Sequence, residues 1–559
     1  MSFYTYIFIG ILLVVSIPIF YNYYCKIKVF KNLNDIFGEL PIDFLEDFDM
    51  EFVKEYYTIR KSNEDFNESI DELTWNDLEM DTVFKRINYT KTTLGESYLY
   101  YKLREIKYNK QEWDELEKLI KLFSNDENLR NEVYILLQNV GKLNNLNLIN
   151  FIYNPKFTKI KGYYKYPTLL IGFLSSIVIS FFFKNVGILL ILIFIGVNIF
   201  SYYSEKLFLE DKFNVITYLM NNINLCKKLS KIKNKEFKFF NDNINEALNN
   251  FSDLNKVRAY CSSFEKRGHS FNDFEVIFDY IKMIFMIDII AYQNSIKILE
   301  KNKEELYEIY DIVSKIDFAL SISFYRKSIK EYSIPEFTES EDIELENLYH
   351  PLVKNPIKNS IIIKNNIIFT GSNASGKSTF IKSIALNCIL AQSLNTALCS
   401  KYKCKISKVV TSMSIRDNVI LGESYFIAEI KSLKRLFDSL NGEIRVLAFI
   451  DEILKGTNTI ERISAAAAIL KYAKNTKARL FVATHDIELT EIISDYENFH
   501  FSEIITDDEV NFDYKLKLGP SKTRNALKLL NTFDFENEII CLANSIYNDF
   551  IKNEKWNKV

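Results

Sequence analysis

The fold of this chain is decided by the stretch Gly371-Ser372-Asn373-Ala374-Ser375-Gly376-Lys377-Ser378-Thr379, which matches the pattern G-x-x-x-x-G-K-[ST] in full. The residues before it, 366–370, read as a short buried strand, and residues 380–386 after it have the apolar spacing of a helix. In such a strand–loop–helix unit, backbone N–H groups and the helix N-terminus face a chain of phosphates. The sequence therefore predicts an α/β domain of the P-loop type, with all nine residues of the loop at a nucleoside triphosphate.

Two residues of the loop and two acids downstream have predicted roles of their own. Lys377 would reach the β- and γ-phosphates, and the Ser378 hydroxyl would join the shell of a Mg²⁺ ion. The apolar strand predicted over 445–450 ends in Asp451 and Glu452. In P-loop ATPases the first such acid helps to hold Mg²⁺, and the second orients or deprotonates the attacking water. We therefore expect ATP and Mg²⁺ as ligands.

Two further polar residues extend this predicted site. A strand predicted over 480–483 is followed by Thr484 and His485, which would place His485 near the γ-phosphate. Ser424 stands at the start of a predicted helix, where a hydroxyl and N–H groups can face an anion. That position suggests a contact to the γ-phosphate of a neighbouring subunit, as in ATPases that hold ATP between two copies. On periodicity alone, the segment is an ordinary amphipathic helix start.

Composition limits the possible partners. The chain has 559 residues, enough for three or four domains, and a net charge of −3, which gives no electrostatic support for nucleic-acid binding as a whole. The best local basic patch runs from Lys227 to Lys235, with Lys238 just beyond it. It suits nucleic-acid phosphates, or else a solvated helix face or a surface that faces anionic lipid headgroups. The seven cysteines form no C-x-x-C pair, and there are four histidines, so no zinc site is predicted and a reducing compartment is favoured.

Two apolar regions predict membrane segments. Residues 3–24 form an uncharged run long enough to cross a bilayer, and lysines directly after it place the following chain in the cytoplasm. Residues 167–203 are apolar except at Lys184-Asn185, which suits two helices joined by a polar turn. The alternative is a helical hairpin buried in a protein core. About three spans are expected, in a multi-pass protein of the cell membrane whose ATPase domain faces the cytoplasm.

The order and wording of four motifs resemble the MutS family of mismatch-repair ATPases. The family's G-x-N-x-x-G-K-S-T loop is followed by E-S-T-F-M-x-E, D-E-x-x-x-G-T-x-T and A-T-H-x-x-E-L-T segments. This chain has them at 371–379, 423–429, 451–459 and 483–490. Looser likenesses lie at 349–353 (before the ATPase domain), 90–95 (core opening), 314–319 (lever helix) and 519–543 (helix-turn-helix).

The resemblance implies roles for the matched positions. Lys377, Glu452 and His485 would form the catalytic set, with Ser378 and Asp451 on the metal. Ser424 would complete the site of a second copy, so a homodimer is expected. Residues 457–459 would carry signals between the two sites, and DNA is a possible partner. No aromatic residue aligns clearly with a role against the adenine.

The chain also departs from the family. Fewer than about sixty residues separate the first predicted span from the core motif, whereas a mismatch-reading domain needs on the order of a hundred. We therefore expect a membrane-anchored relative that lacks this domain, with a mostly α-helical core domain that includes transmembrane helices beside the ATPase domain. The predicted divisions are an anchor at 1–25, a linker at 26–79, a helical core at 80–335 interrupted by the hairpin at 167–203, the ATPase domain at 340–510 and a dimerising helix-turn-helix at 511–559.

Two functional hypotheses follow. In the first, ATP hydrolysis in a dimeric site is coupled to DNA binding in a process related to mismatch repair. In the second, a membrane-tethered mechanochemical ATPase acts on a protein or lipid partner without DNA. A transport ATPase is disfavoured, because three spans make a poor translocation pathway.

Overall fold

A computed structural model describes thirteen stretches of the chain: 33–41, 50–63, 68–143, 148, 160, 162–251, 256, 280–372, 375–413, 425–440, 442–505, 510–521 and 535–553. The chain divides into two compact units. The first comprises 1–66, 87–101 and 114–328, and the second comprises 67–86, 102–113 and 329–559. Residues 67–86 and 102–113, which the sequence-based boundaries assign to linker and core, thus belong to the unit that contains the P-loop.

Helices dominate the described chain before residue 329, in agreement with the predicted helical core. They are α1 (Glu51–Asn63), α2 (Glu72–Asp77), α3 (Met80–Ile87), α4 (Thr93–Arg104), α5 (Lys110–Asn125), α6 (Glu127–Val140), α7 (Lys165–Phe182), α8 (Lys184–Leu229), α9 (Lys238–Asn250), α10 (Ile287–Lys301) and α11 (Lys303–Ser328).

The predicted core opening at 90–95 lies at the start of α4. Asp317 of α11 is fully buried, and its carboxylate accepts hydrogen bonds from Thr92 N at 2.8 Å, Thr92 Oγ1 at 2.6 Å and Lys91 N at 3.0 Å. The first N–H groups of a helix have no partner within the helix, so a carboxylate is a favourable cap. A Cβ on Gly95 would collide with this carboxylate. The hydrogen bonds of Lys91 and Thr92 to Asp317 therefore join the start of α4 to α11.

The apolar hairpin consists of α7 and α8. The two helices are joined at Phe183, one residue before the predicted Lys184-Asn185 turn, and α8 runs on for 46 residues to Leu229. Lys165–Phe182 and Lys184–Lys206 are long and apolar enough to cross a membrane, and only 17% and 22% of their most apolar windows are buried. The described part of the chain thus contains two such helices, and it does not bury them in a protein core. The predicted span at 3–24 lies outside the described residues.

The second unit is built on a six-stranded sheet. Its strands are ordered β12-β9-β4-β8-β7-β6, with β12 antiparallel to β9 and the others parallel. A four-stranded sheet has the order β1-β5-β2-β3, and β10 and β11 form an antiparallel pair. The strands are β1 (Glu336–Phe337), β2 (Ile343–Leu348), β3 (Asn359–Ile363), β4 (Ile367–Thr370), β5 (Lys401–Cys404), β6 (Lys408–Ser412), β7 (Val446–Asp451), β8 (Arg479–Ala483), β9 (Glu497–His500), β10 (Glu503–Ile505), β11 (Val510–Phe512) and β12 (Lys517–Leu518).

The predicted strand–loop–helix unit and the two predicted acid- and histidine-bearing strands are confirmed as elements. They are β4 with the following helix α12 (Lys377–Leu394), then β7 and β8. The other helices of this unit are α13 (Tyr425–Ser439), α14 (Thr459–Ala473), α15 (Glu488–Ile492) and α16 (Asn537–Asn553). Strands β4, β8 and β7 are adjacent and parallel, so their carboxyl ends meet at one edge of the sheet, where ligands bind in open α/β folds.

Helix α2 explains why residues 67–86 belong to this unit. Strand β6 lies at an edge of the sheet. Thr74 Oγ1 accepts a hydrogen bond from Thr411 N at 3.1 Å, and Asp77 Oδ2 accepts from Thr411 Oγ1 at 2.7 Å and from Met413 N at 2.9 Å. These side chains satisfy backbone groups that an edge strand leaves unpaired.

The C-terminal region is only partly described. Strand β12 lies beyond the predicted boundary at residue 510, yet it pairs with β9 of the main sheet. Of the predicted helix-turn-helix, residues 522–534 lie outside the described chain. Helix α16 buries none of its residues, and Ile539, Leu542 and Ile551 are each about half exposed on it. Its apolar side chains are therefore available to another surface.

Candidate functional site

The P-loop is shaped by its two glycines. Gly371 has φ +141° and Gly376 has φ +102°, and both angles lie in the region that residues with a Cβ avoid. A Cβ on Gly371 would also collide with the carbonyl oxygen of Phe501. Asn373 and Ala374 lie outside the described residues. The backbone at both ends of the loop therefore depends on glycine, as the motif requires.

Lys377 is buried in the loop. Its Nζ donates hydrogen bonds to Gly371 O at 2.6 Å and Ser372 O at 2.9 Å, and it lies 3.4 Å from His485 Nε2. Burial lowers the pKa of Lys377 to about 8, although the carboxylates of Asp451 and Glu452 act in the opposite direction. A desolvated cation held by carbonyl oxygens and close to acids is suited to receive an anion.

Glu452 adopts a strained backbone conformation beside this lysine. It has φ +63°, which is rare for a residue with a side chain, and its N–H is held by Ala483 O at 2.9 Å. Its Oε1 lies 3.1 Å from His485 Nε2, and its Oε2 lies 3.2 Å from Lys455 Nζ. The hydrogen bond from His485 is the main reason that the pKa of Glu452 falls to about 2. Glu452 is therefore an ionised acceptor at neutral pH.

Three of the predicted catalytic residues thus meet in one place. Lys377 begins the helix after β4, whereas Glu452 and His485 lie just beyond the ends of the adjacent strands β7 and β8. Each of the three is within 3.4 Å of another. Asp451 is the last residue of β7, paired in register with Ala483 of β8. Ser424, predicted for the site of a second copy, lies outside the described residues.

Four further residues of the loop are described by the structure, namely Ser372, Ser375, Ser378 and Thr379. Ser375 Oγ donates to Ser372 O at 2.8 Å, and Ser372 Oγ donates to Glu503 Oε2 at 2.8 Å. Ser378 lies in the first turn of α12, partly exposed, and Thr379 beside it is exposed.

The residues fit a nucleotide with Mg²⁺. The lysine in the loop has its pKa lowered by burial, which an anion would reverse, and the hydroxyl of Ser378 and the carboxylate of Asp451 are oxygen ligands of the kind that Mg²⁺ prefers. Bound ATP supplies a phosphoanhydride bond, and the chain supplies positioning and charge around it.

Two residues that the sequence motifs did not assign also help to shape the site. Arg462 of α14 forms a bidentate pair with Asp486, at 2.8 and 2.6 Å, and Asp486 directly follows His485. Glu429 of α13 accepts a hydrogen bond from Lys455 N at 2.8 Å, in the loop after Glu452. Both lie in or beside the quoted motif segments, but their partners are set by tertiary structure.

Tyr514 and His350 are two further ring side chains of the unit that contains the P-loop. A Cβ on Gly376 would be 3.0 Å from Cδ1 of Tyr514, whose ring therefore lies beside the loop and is 44% exposed. His350, from the family-like segment 349–353, accepts a hydrogen bond from Leu352 N at Nδ1, and burial lowers its pKa to about 4. Tyr514 is thus an aromatic next to the loop that no sequence motif marked.

Comparison with known proteins identifies the family of the domain that contains this site. Residues 367–551 match the family described as MutS domain V. The chain belongs to the MutS family. Residues 367–551 are its ATPase domain, of the P-loop type.

Several known proteins are similar in sequence to this chain over part of their length. "MutS protein homolog 4" of Homo sapiens is 32% identical over 239 residues, which are 39% of this chain and 25% of that protein. "DNA mismatch repair protein MutS" of Finegoldia magna is 26% identical over 352 residues, 59% of this chain and 40% of that protein. The protein of the same name in Fusobacterium nucleatum is 32% identical over 206 residues, 35% of this chain and 22% of that protein. The chain therefore spans less than half the length of each of these relatives.

Proposed function

We propose that this MutS-family chain binds and hydrolyses MgATP in a site completed by a second copy. The observation that carries the proposal is the meeting of Lys377, Glu452 and His485 at the carboxyl edge of the sheet. Lys377 would exchange the carbonyls of Gly371 and Ser372 for phosphate oxygens, which restores its full charge. Glu452, ionised and oriented by His485, would hold the attacking water, and Ser378 and Asp451 would hold Mg²⁺.

A homodimer is part of this proposal. The partner's Ser424 would contact the γ-phosphate, as the family's arrangement implies, so each site needs both copies. Helix α16 has an uncovered apolar side in the described chain, with Ile539, Leu542 and Ile551 on it. Such a surface supports association, because apolar area removed from water favours binding.

The first test separates binding from turnover in the full-length chain. Lys377→Ala should abolish nucleotide binding, whereas Glu452→Gln should keep ATP bound but stop hydrolysis. Lys364→Ala, an exposed lysine in the turn before β4, is the matched control and should behave as wild type. Unchanged ATP affinity in Lys377→Ala would refute the assignment of the loop.

We further propose that the cycle is coupled to DNA. The names of the bacterial relatives refer to DNA mismatch repair. The basic patch of 227–238 includes the end of α8, the turn after it and the first residue of α9. Its exposed lysines are Lys228, Lys231, Lys233, Lys235 and Lys238. Asn234 fixes this turn by accepting hydrogen bonds from Glu236 N and Phe237 N. Five exposed lysines in and beside one short turn suit a phosphate backbone.

The position of the patch favours nucleic acid over lipid headgroups. The candidate span within α8 ends at Lys206, and the same helix continues to Leu229. At about 1.5 Å per residue, Lys228 lies roughly 33 Å beyond Lys206 along the helix. Charges are screened within about 8 Å at physiological salt. With α8 perpendicular to the bilayer plane, the patch would lie too far from the headgroups for electrostatic attraction between them to be significant.

The DNA proposal is tested by retention of the full chain on duplex DNA, with and without ATP, over a range of salt. We expect the triple change Lys231→Glu, Lys233→Glu and Lys235→Glu to weaken DNA binding. The slope of log K against log salt concentration should become less steep by about 0.9 for each phosphate that the variant no longer neutralises. The control is Lys118→Glu with Lys121→Glu, two exposed lysines of α5. No binding even at low salt would contradict this proposal and leave the ATPase proposal standing.

A second candidate function rests on the exposed hairpin. Because α7 and the first part of α8 leave most of their apolar residues uncovered, we propose that they lie in a membrane, with the ATPase domain on the cytoplasmic side. In this version the chain is a multi-pass protein of the cell membrane, and its motion acts on a protein or lipid partner. A chain that is released into the soluble fraction by alkaline carbonate would contradict the membrane part.

A further inference from the structure

A further carboxylate lies at the P-loop, besides those of Asp451 and Glu452. Glu503 is the first residue of β10, and its Oε2 accepts a hydrogen bond from Ser372 Oγ at 2.8 Å. Ser372 is the second residue of the loop, and its carbonyl oxygen accepts a hydrogen bond from Lys377 Nζ at 2.9 Å. The hydroxyl and the carbonyl of one loop residue thus link the Glu503 carboxylate to the lysine that would bind phosphate.

The backbone just before Glu503 runs directly beside the loop. Phe501 N donates a hydrogen bond to Thr370 O at 3.1 Å, and a Cβ on Gly371 would lie only 2.4 Å from Phe501 O. Phe501 is buried, and its ring centroid lies 5.6 Å from that of Phe380 in α12. These contacts fix the chain two residues before Glu503, so its carboxylate stays close to the loop.

The strand that pairs with β10 is also fixed. Glu503 is paired in register with Phe512 of β11, whose ring centroid lies 5.9 Å from that of Tyr514, the residue beside the loop. Asn359 holds the backbone there, because its Nδ2 donates to Tyr514 O at 2.9 Å and its Oδ1 accepts from Leu516 N at 2.9 Å. Both strands of the pair therefore contribute to the position of the Glu503 carboxylate.

The charge of this carboxylate opposes an anionic ligand. Burial lowers the pKa of Lys377, and the carboxylates of Asp451, Glu452 and Glu503 act in the opposite direction. Asp451 has a proposed role on Mg²⁺ and Glu452 on the attacking water, whereas Glu503 has neither role, so its charge remains beside the phosphates. Glu503 is partly buried, and a partly buried charge is screened less than one on the surface.

The repulsion depends on the form of the nucleotide. Two charges interact with an energy proportional to their product. Metal-free ATP carries roughly twice the negative charge of MgATP, because the bound Mg²⁺ cancels about half of it. The free energy of repulsion by Glu503 should therefore be about twice as large for the metal-free form.

We propose that Glu503 is a specificity-determining residue, which makes the P-loop favour nucleotide with bound Mg²⁺ over metal-free nucleotide. The inference rests on the proposed function, because it needs a nucleotide in the loop. Metal-free ATP would occupy the loop without the ion that Ser378 and Asp451 are proposed to hold. The carboxylate thus disfavours an unproductive ligand more than the substrate.

The first experiment measures the dissociation constant of a non-hydrolysable ATP analogue for the full-length chain, once with Mg²⁺ and once with excess EDTA. Glu503→Gln keeps an oxygen for the Ser372 hydroxyl but removes the charge. We expect it to tighten binding of the magnesium form by about threefold and of the metal-free form by about tenfold, since the second factor is roughly the square of the first. Glu497→Gln, a partly exposed acid at the start of β9, is the matched control and should change neither constant.

The second experiment separates the charge from the hydrogen bond. Ser372→Ala removes the donor but leaves the carboxylate, and Glu503→Asp keeps the charge on a shorter side chain. In both variants the ratio of the two dissociation constants should stay within about twofold of the wild-type ratio. If the hydrogen bond alone mattered, Ser372→Ala and Glu503→Gln would change the affinity alike, by the same factor for both forms, and the inference would be wrong.

The outcomes separate this inference from the function on which it rests. If the wild-type chain binds neither form of the analogue, the proposed function fails. If the wild type binds and Glu503→Gln leaves the ratio of the two dissociation constants unchanged, only the role of Glu503 fails. Weaker binding of both forms by Glu503→Gln would show that the carboxylate supports the loop instead of repelling the ligand, which would also overturn the inference.

Discussion

The ammonium group of Lys377 is paired with backbone carbonyls and lies close to a histidine and two acids. Burial lowers its pKa to about 8, whereas bound phosphates would raise it again. Below pH 8 the lysine is already protonated, so nucleotide affinity should not change with pH through this group. Above pH 8 binding must take up a proton, so affinity should fall by about tenfold per pH unit.

Calorimetry in buffers of different ionisation enthalpy measures this proton directly. MgATP binding should take up close to no proton through Lys377 at pH 7 and close to one at pH 9. If the uptake is the same at both values, the lysine is not the group that the phosphates charge.

A second residue-scale prediction concerns Arg462, whose guanidinium pairs with Asp486, the residue after His485. We expect Arg462→Gln to lower kcat by about tenfold with little change in nucleotide affinity, because the backbone beside His485 loses the Arg462–Asp486 pair but the P-loop keeps its contacts. Lys474→Gln, a partly exposed cation just after the same helix, serves for comparison. Equal losses in the two variants would argue against a specific role.

At this scale the sequence predicted which residues are reactive but not which of them contact each other. The P-loop spacing and the acid pair after an apolar strand were enough to predict Lys377 and Glu452. The contact between Glu452 and His485 joins two strand ends 33 positions apart in sequence, and no local pattern encodes it. Tyr514 was missed because its closeness to Gly376 is likewise a tertiary contact.

Among the elements, α4 and α11 are joined by one buried carboxylate. Asp317→Asn keeps the shape of the side chain but replaces an acceptor oxygen by a donor facing the N–H groups of Lys91 and Thr92. We expect the free energy of unfolding to fall by about 2 kcal/mol, because buried donors are left unsatisfied. Urea denaturation measures this change.

The matched control is Asp311→Asn on the same helix. Asp311 is partly exposed and pairs with Lys315 one turn away, so its loss should cost a few tenths of a kcal/mol. An equal effect of the two substitutions would show that Asp317 has no special part in joining the helices.

The sequence predicted that the elements exist better than it predicted their ends. Lys184-Asn185 suggested a turn, but both residues lie within the first turn of α8, and Phe183 alone separates the helices. The apolar block that predicted the hairpin stops at Tyr203, whereas α8 runs on to Leu229. Helical backbone continues to Leu229 because residues such as Val215, Leu219 and Ile223 bury an apolar side, which needs only 3.6-residue periodicity.

For the whole molecule, the hairpin allows a test of topology. If α7 and α8 cross the membrane, a cysteine at Lys184 should react with a membrane-impermeant maleimide from outside intact cells. A cysteine at Lys233, on the basic patch, should react only after the cells are opened. Labelling of both sites in intact cells, or of neither, would contradict the proposed arrangement.

The division into two units is the part of the architecture that the sequence could not supply. The predicted boundary near residue 80 followed a motif, whereas residues 67–86 are held to β6 by Thr74 and Asp77, more than 300 positions from their partners. Such pairings have no signature in composition or spacing. Family resemblance supplied the order of the domains but not the path of the chain between them.

Helix α8 has a mechanical implication. Its 46 residues form one uninterrupted element, about 69 Å long, that begins in the apolar hairpin and ends at the lysine-rich turn. A rod without a hinge cannot absorb a rotation at one end. A tilt of about 10° about the hairpin would sweep the lysine-rich end sideways by roughly 12 Å, so reorienting the hairpin necessarily relocates that end.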